Sequence, residues 1–233
     1  MILTALILWS SLPSLSQDAP TTPPPYCQPC LFYGGDFDAH NTNANALANE
    51  LTTSVVSGAR VFVPFVVPAG QTWTITALFS NNLSNVGVID PQQGLWSISK
   101  GMRQGNQGKV VAQGAAPATF TPTGRHGFNQ KEYTLMIAID PPVKLESGLY
   151  WMTAVPECKN PVDRACVAAS YYLSDVEQVP RRHAWGIAPT DKSFYLSGEF
   201  GYFYYPTWGT NGACQGTGCD RFSAGAVGKE SPE

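Results

Sequence analysis

Thr72-Trp73-Thr74-Ile75-Thr76-Ala77-Leu78-Phe79 is the stretch that decides the fold class. Trp73, Ile75, Ala77 and Phe79 alternate with Thr72, Thr74 and Thr76. A period of two puts apolar groups on one face of a strand and threonines on the other. Upstream, Val61 to Val67 is almost continuously apolar and ends at the turn signal Pro68-Ala69-Gly70. Downstream, Leu95 to Ile98, Lys109 to Gln113 and Ala118 to Thr121 read as shorter strands. Tyr133, Leu135, Ile137 and Ile139 share one face of the next, and Leu149, Trp151 and Val155 one face of the strand after that. Val167 to Leu173 and Phe194 to Tyr205 complete the series. Turn residues separate these runs: Asn81-Asn82, Asp90-Pro91, Gly105 to Gly108, Pro122 to Gly124, Asp140-Pro141-Pro142 and Ser147-Gly148. With no long helical period between them, the pattern predicts an all-β sandwich or barrel in one domain.

Composition agrees. The chain has 233 residues, 43% apolar and 13% charged, with 22 Gly and 19 Pro. Helical bundles rich in Glu and Lys do not look like this, and the aromatic content of 12% is too high for a disordered chain. A net charge of −3 offers no electrostatic attraction to nucleic acid or an anionic membrane.

Residues 1–16 are expected to be a signal peptide. Ile2 to Trp9 has the length of its apolar core, and Ser14-Leu15-Ser16 offers a cleavage site before Gln17, although no Lys or Arg precedes the apolar run. No later run is long enough to span a membrane, so the expected location is secreted or extracellular. Residues 17–30 read as a Pro-rich linker, 31–223 as the β domain and 224–233 as a flexible tail. A short helix is expected near Asn43 to Leu51.

Six cysteines form three close pairs in sequence: Cys27 and Cys30, Cys158 and Cys166, Cys214 and Cys219. In an exported chain the simplest expectation is three local disulfides, though six cysteines allow 15 connectivities. Cys27-Gln28-Pro29-Cys30 also has redox spacing, but lacks the preceding strand that such chemistry uses. Cys27, Cys30, Cys214 and Cys219 would make a four-thiolate zinc site if the termini met.

The segment from Gly34 to Asn45 concentrates hard oxygen donors: Asp36, Asp38, Asn41, Asn43 and Asn45. These are the candidate ligands of a structural calcium. The loop is no EF-hand, since Asn41 stands where Gly is required and Leu47 where Glu is. The competing reading is a run of Asx turns capping the helix. Arg125-His126 and Arg181-Arg182-His183 read as solvated turns, and no two of the three histidines have ligand spacing. Nucleophile elbows, phosphate loops and H-E-x-x-H are absent. Glu132, Glu146, Glu157, Asp175 and Glu199 are acids whose separations the sequence leaves open.

The other conspicuous segment is Phe200-Gly201-Tyr202-Phe203-Tyr204-Tyr205-Pro206-Thr207-Trp208. As a strand it puts Tyr202 and Tyr204 on one side, Phe203 and Tyr205 on the other. Tyr202, Tyr204 and Trp208 are candidates for stacking on sugar rings; the alternative is that they pack into the core. Asn82-Leu83-Ser84 matches the glycosylation sequon.

Two blocks resemble exported bacterial proteins with a jelly-roll-like β-sandwich. One is Tyr33-Gly34-Gly35-Asp36-Phe37-Asp38 with Asn41 to Glu50. The other is Phe65 to Ile75, then Trp96-Ser97-Ile98 and Ser147-Gly148-Leu149-Tyr150-Trp151. The resemblance covers roughly residues 31 to 156 and implies export and a jelly-roll sandwich, without implying a reaction. Many such proteins carry a C-terminal sorting anchor; no hydrophobic anchor follows Ala224, so release or non-covalent retention is expected. The expected function is an extracellular binding or surface-associated module. Its partner is a polysaccharide or the cell-surface matrix, and calcium holds the loop. The alternatives are a polysaccharide hydrolase or lyase on the same scaffold, and a filament or matrix subunit joined by strand addition.

Overall fold

The computed structural model describes residues 22–37, 46–50, 58–84, 92–158, 171–174, 182–187, 189, 191–207 and 221–233. These residues are all-β. Twelve strands run in chain order: β1 Cys30–Tyr33, β2 Ala46–Ala48, β3 Arg60–Val67, β4 Gln71–Ser84, β5 Gln92–Lys100, β6 Lys109–Gly127, β7 Gln130–Leu145, β8 Gly148–Cys158, β9 Tyr171–Ser174, β10 Phe194–Ser197, β11 Tyr202–Pro206 and β12 Ala224–Pro232. They form one antiparallel sheet in the order β1-β12-β4-β7-β6-β5-β8-β3-β10-β11, with β9 paired to β4 beyond the end of β12 and β2 to β9.

The 19-residue β6 links the two halves of this sheet. Gly114 to Pro117 and the residues before them pair with β5, whereas Ala118 onward pairs with β7. The strands on either side then share a core without being neighbours. Trp73, Ile75 and Leu78 of β4 and Leu135 and Ile137 of β7 belong to the same buried cluster as Phe65 of β3 and Met152 of β8. Phe65 stacks on Trp73 at 6.0 Å and on Tyr150 at 5.7 Å. Each large side chain buried here contributes about 1.5–3 kcal/mol. Gly94 of β5 marks how close the halves come: a Cβ there would lie 2.4 Å from Ile137 Cδ1.

Several expectations need correction. The tail 224–233 is not frayed: β12 pairs with β4 from Ala224 to Pro232, because its Ala, Gly and Val residues fit between β4 and β1. Of the segment expected to be helical, 46–50 are described, and Ala46–Ala48 is a strand held by Leu173 and its neighbours. The linker is docked over residues 22–30, with Pro24 and Cys27 buried. Asn81 and Asn82 make no turn; both lie fully buried within β4, their amides bonded to other side chains. Pro122 to Gly124 and Asp140 to Pro142 interrupt the register of β6 and β7 without ending them.

Thr76 carries a further correction. Against β12, β4 holds one extra residue: Ala77 pairs with Val227 and Ile75 with Gly228. This β-bulge reverses the alternation, as an inserted residue must. Trp73 and Ile75 face the main core, but so does Leu78, and Phe79 faces the other way. The opposite face of β4 therefore needs its own cover. It receives it from Cys27, Tyr33 and Val227, with Tyr26 packed against them.

Candidate functional site

Past that second apolar cluster, the same face of β4 and β7 turns polar. Asn81 and Thr134 lie on it, and Thr134 donates to Asn81 Oδ1 at 2.7 Å. Asn81 Nδ2 donates to Tyr33 Oη at 3.0 Å and Ser223 Oγ at 2.8 Å. Tyr33 donates to Asp36 Oδ1 at 2.8 Å, and Ser223 to the Gly35 carbonyl at 2.7 Å. Tyr26, edge-on to Tyr33 and Phe79, brings its hydroxyl within 3.1 Å of that of Tyr33. The disulfide Cys27–Cys30 ties down the short loop that follows Tyr26.

Arg125 sits above this network and joins two buried acids. Its Nη1 lies 3.0 Å from Asp36 Oδ1, and its Nε donates to Glu132. Thr123 also donates to Glu132 Oε2, at 2.8 Å. The β6–β7 hairpin explains the contact: its register breaks between the pairs Pro122–Tyr133 and His126–Lys131, which sets Thr123 to Arg125 against the single residue Glu132. Burial opposes the charge on Arg125, but Glu132, then Tyr33, Tyr26 and Asp36, outweigh it and hold the guanidinium protonated beyond its ordinary range. Burial also pushes the Tyr33 hydroxyl well above the usual tyrosine value, so it remains a donor.

His183 closes the outer side. Its Nδ1 is 2.6 Å from Asp36 Oδ2, while the side chain is 51% exposed. The Arg182 carbonyl accepts from Asp36 N at 2.9 Å. Phe37, next to Asp36, is buried under Phe128 at the hairpin tip, with ring centroids 6.0 Å apart.

The expected site residues fall in different places. Asp36, the first calcium candidate, points its carboxylate at Tyr33, Arg125 and His183. Asp38, Asn41, Asn43 and Asn45 lie outside the described residues, as do Trp208, Cys166, Cys214 and Cys219. Cys158 ends β8. Cys27 and Cys30 are joined to each other, which removes them from any thiolate zinc site. No group of three or more His, Cys, Asp or Glu able to hold a metal occurs among the described residues.

Tyr202 and Tyr204 do not share a solvent face. Tyr202 packs against the main core beside Tyr195, and Tyr204 against Phe62, its hydroxyl donating to Gln107 at 2.9 Å. Tyr204 has a positive φ of 46°, which breaks the strand's alternation. The aromatic rings left to solvent on the β10–β11 hairpin are Phe200 and Phe203, 54% and 63% exposed, with Tyr202 and Tyr205 half-buried beside them. Asn82 is fully buried and donates to Ser80, so its sequon is closed to modification in the folded protein.

Arg125, Glu132 and His183 were not expected to meet. Glu132 is a charged residue next to a strongly alternating apolar strand, and Arg125 stands seven positions before it across a Gly-Phe-Asn turn. That spacing is the trace a hairpin ion pair leaves in sequence. His183 leaves none, since it reaches Asp36 from 147 residues away. No protein-family model and no curated protein matches the chain.

Proposed function

We propose that this protein is an extracellular binding module of jelly-roll-like sandwich type, and that it holds carbohydrate on the aromatic β10–β11 hairpin. The observation that carries the reading is the exposure of Phe200 and Phe203 on an edge hairpin whose neighbouring tyrosines are braced from below. Flat aromatic faces suit the apolar faces of pyranose rings. The 27–30 disulfide and the absence, among the described residues, of any helix long and apolar enough to cross a membrane support export.

The test mixes the full chain with insoluble neutral polysaccharides and reads both depletion from solution and sugar release. Depletion without release is expected. Phe203→Ala should weaken binding about two- to twelvefold, since one stacking contact is worth about 0.5–1.5 kcal/mol. Release of sugars would replace this reading with a polysaccharide-active enzyme. Concentration-dependent self-association without sugar binding would replace it with a structural subunit.

A further inference from the structure

Three of the four described non-glycine residues with positive φ crowd around Asp36 and its cover: Phe128 at 51°, Asn129 at 61° and His183 at 56°. Phe128 and Asn129 are the two residues of the β6–β7 turn, between paired Gly127 and Gln130, where both must be left-handed. Asn or Gly suits such a position, so a large aromatic at the tip is the unusual feature. Phe128 is 57% exposed at the hairpin tip, yet its ring is braced on buried Phe37. His183 is fixed through Nδ1, which leaves Nε2 as the ring's remaining polar atom on a half-exposed side chain.

The charges are sorted by depth. The acids Asp36 and Glu132 are buried, 6% and 0% exposed. Among the described residues, the groups that reach solvent around them include the cationic or protonatable Arg125, 23% exposed, Arg182 and His183. Arg125 and His183 occupy the two oxygens of one carboxylate, so they stand side by side. Nε, Nη1 and Nη2 of Arg125 are engaged by Glu132, Asp36 and Tyr26, which leaves one further N–H on each of Nη1 and Nη2 of a side chain still 23% exposed. An exposed aromatic ring on the same hairpin as these groups fits a ligand ring that carries an acid group.

We propose that Phe128, Arg125 and His183 form a second ligand site, distinct from the β10–β11 hairpin, that takes a carboxylate-bearing pyranose, a uronic acid. The ring stacks on Phe128, and its carboxylate accepts from the remaining N–H groups of Arg125 Nη1 and Nη2 and, when the imidazole is protonated, from His183 Nε2. Asp36 and Glu132 act as positioning residues beneath them. This site rests on the preceding reading only in that the ligand is a sugar.

The test measures binding of the full chain to polygalacturonate and to uncharged galactan by affinity electrophoresis. Wild type should prefer polygalacturonate at least tenfold. Phe128→Ala and His183→Ala, both at exposed side chains, should each remove most of that preference with an unchanged near-ultraviolet circular dichroism spectrum. Phe128→Leu, which keeps bulk without a flat face, replaces Phe128→Ala if the latter misfolds. Phe203→Ala should leave the preference intact. Competition by monomeric galacturonate assigns the ligand to the single sugar acid; binding of polymer without competition assigns it to an extended chain. Equal binding to both polymers, no binding to polygalacturonate, or wild-type behaviour of Phe128→Ala and His183→Ala would overturn the proposal. A null effect of Phe203→Ala on neutral polysaccharide would instead overturn the hairpin reading and leave this one standing.

Discussion

Arg125 decides whether the polar face of β4 and β7 is stable. Its guanidinium bonds to Glu132, which is fully buried, and to Asp36, which is nearly so. Removing one member of a buried ion pair leaves the other charge without compensation, at a cost of about 3–5 kcal/mol. Arg125→Met should therefore lower the unfolding free energy by about that amount in urea titration. A variant as stable as wild type would mean that water reaches Glu132. This arrangement was half legible. The sequence shows Glu132 beside an apolar strand and Arg125 across a turn, but a residue's partner depends on hairpin register, which a single chain does not display. The Asp36 region was read as a cation site from its oxygen content. That reading counted donors; for Asp36, the one donor among the described residues, it could not see that Tyr33, Arg125 and His183 engage the carboxylate.

Among the elements, β4 shows what periodicity can and cannot deliver. Its alternation correctly marks a strand, and the apolar face of β7, Tyr133 through Ile139, is buried as the pattern requires. The Thr76 bulge then reverses β4 part-way along, because side-chain parity counts residues and a bulge adds one. Nothing in Thr-Ile-Thr-Ala marks the insertion; it is fixed by β12, whose own strand character was hidden by small residues. Gly228 lies at that bulge. A Cβ there would come 2.1 Å from the Thr74 carbonyl oxygen and 3.0 Å from Ile75 Cα, backbone atoms that cannot move aside independently. Gly228→Ala should cost about 1–3 kcal/mol, with the midpoint of thermal unfolding falling accordingly. A neutral substitution would show that β12 shifts register freely.

At the scale of the molecule, buried tyrosines set the response to alkali. Burial raises Tyr33 well above the ordinary value of 10.0, and it raises Tyr195 too. In the unfolded chain these hydroxyls ionise near that ordinary value, while in the folded protein they keep their protons. Their contribution is thus complete below the unfolded value and is lost as pH rises toward the folded one. Unfolding free energy should be level through neutral pH and decline above about pH 10, and Tyr33→Phe should make that decline shallower. A steeper decline in the variant would contradict this assignment. The all-β class was legible because strands and turns are local. The single continuous sheet was not, because its order is set by pairings far apart in sequence, β1 with β12 above all.

That last pairing has a consequence for how the protein is made. β12 lies between β1 and β4, and it supplies Ser223 and its neighbours to the Tyr33–Asn81 network from the segment just before it. A chain emerging in order from a ribosome or an export pore therefore carries β1 without its strand partner until residues 224 onward follow. The early segment with its 27–30 disulfide can close its own loop but has no strand to pair with until then. Completion of this face is a terminal event, because the strand that closes it is the last to be made.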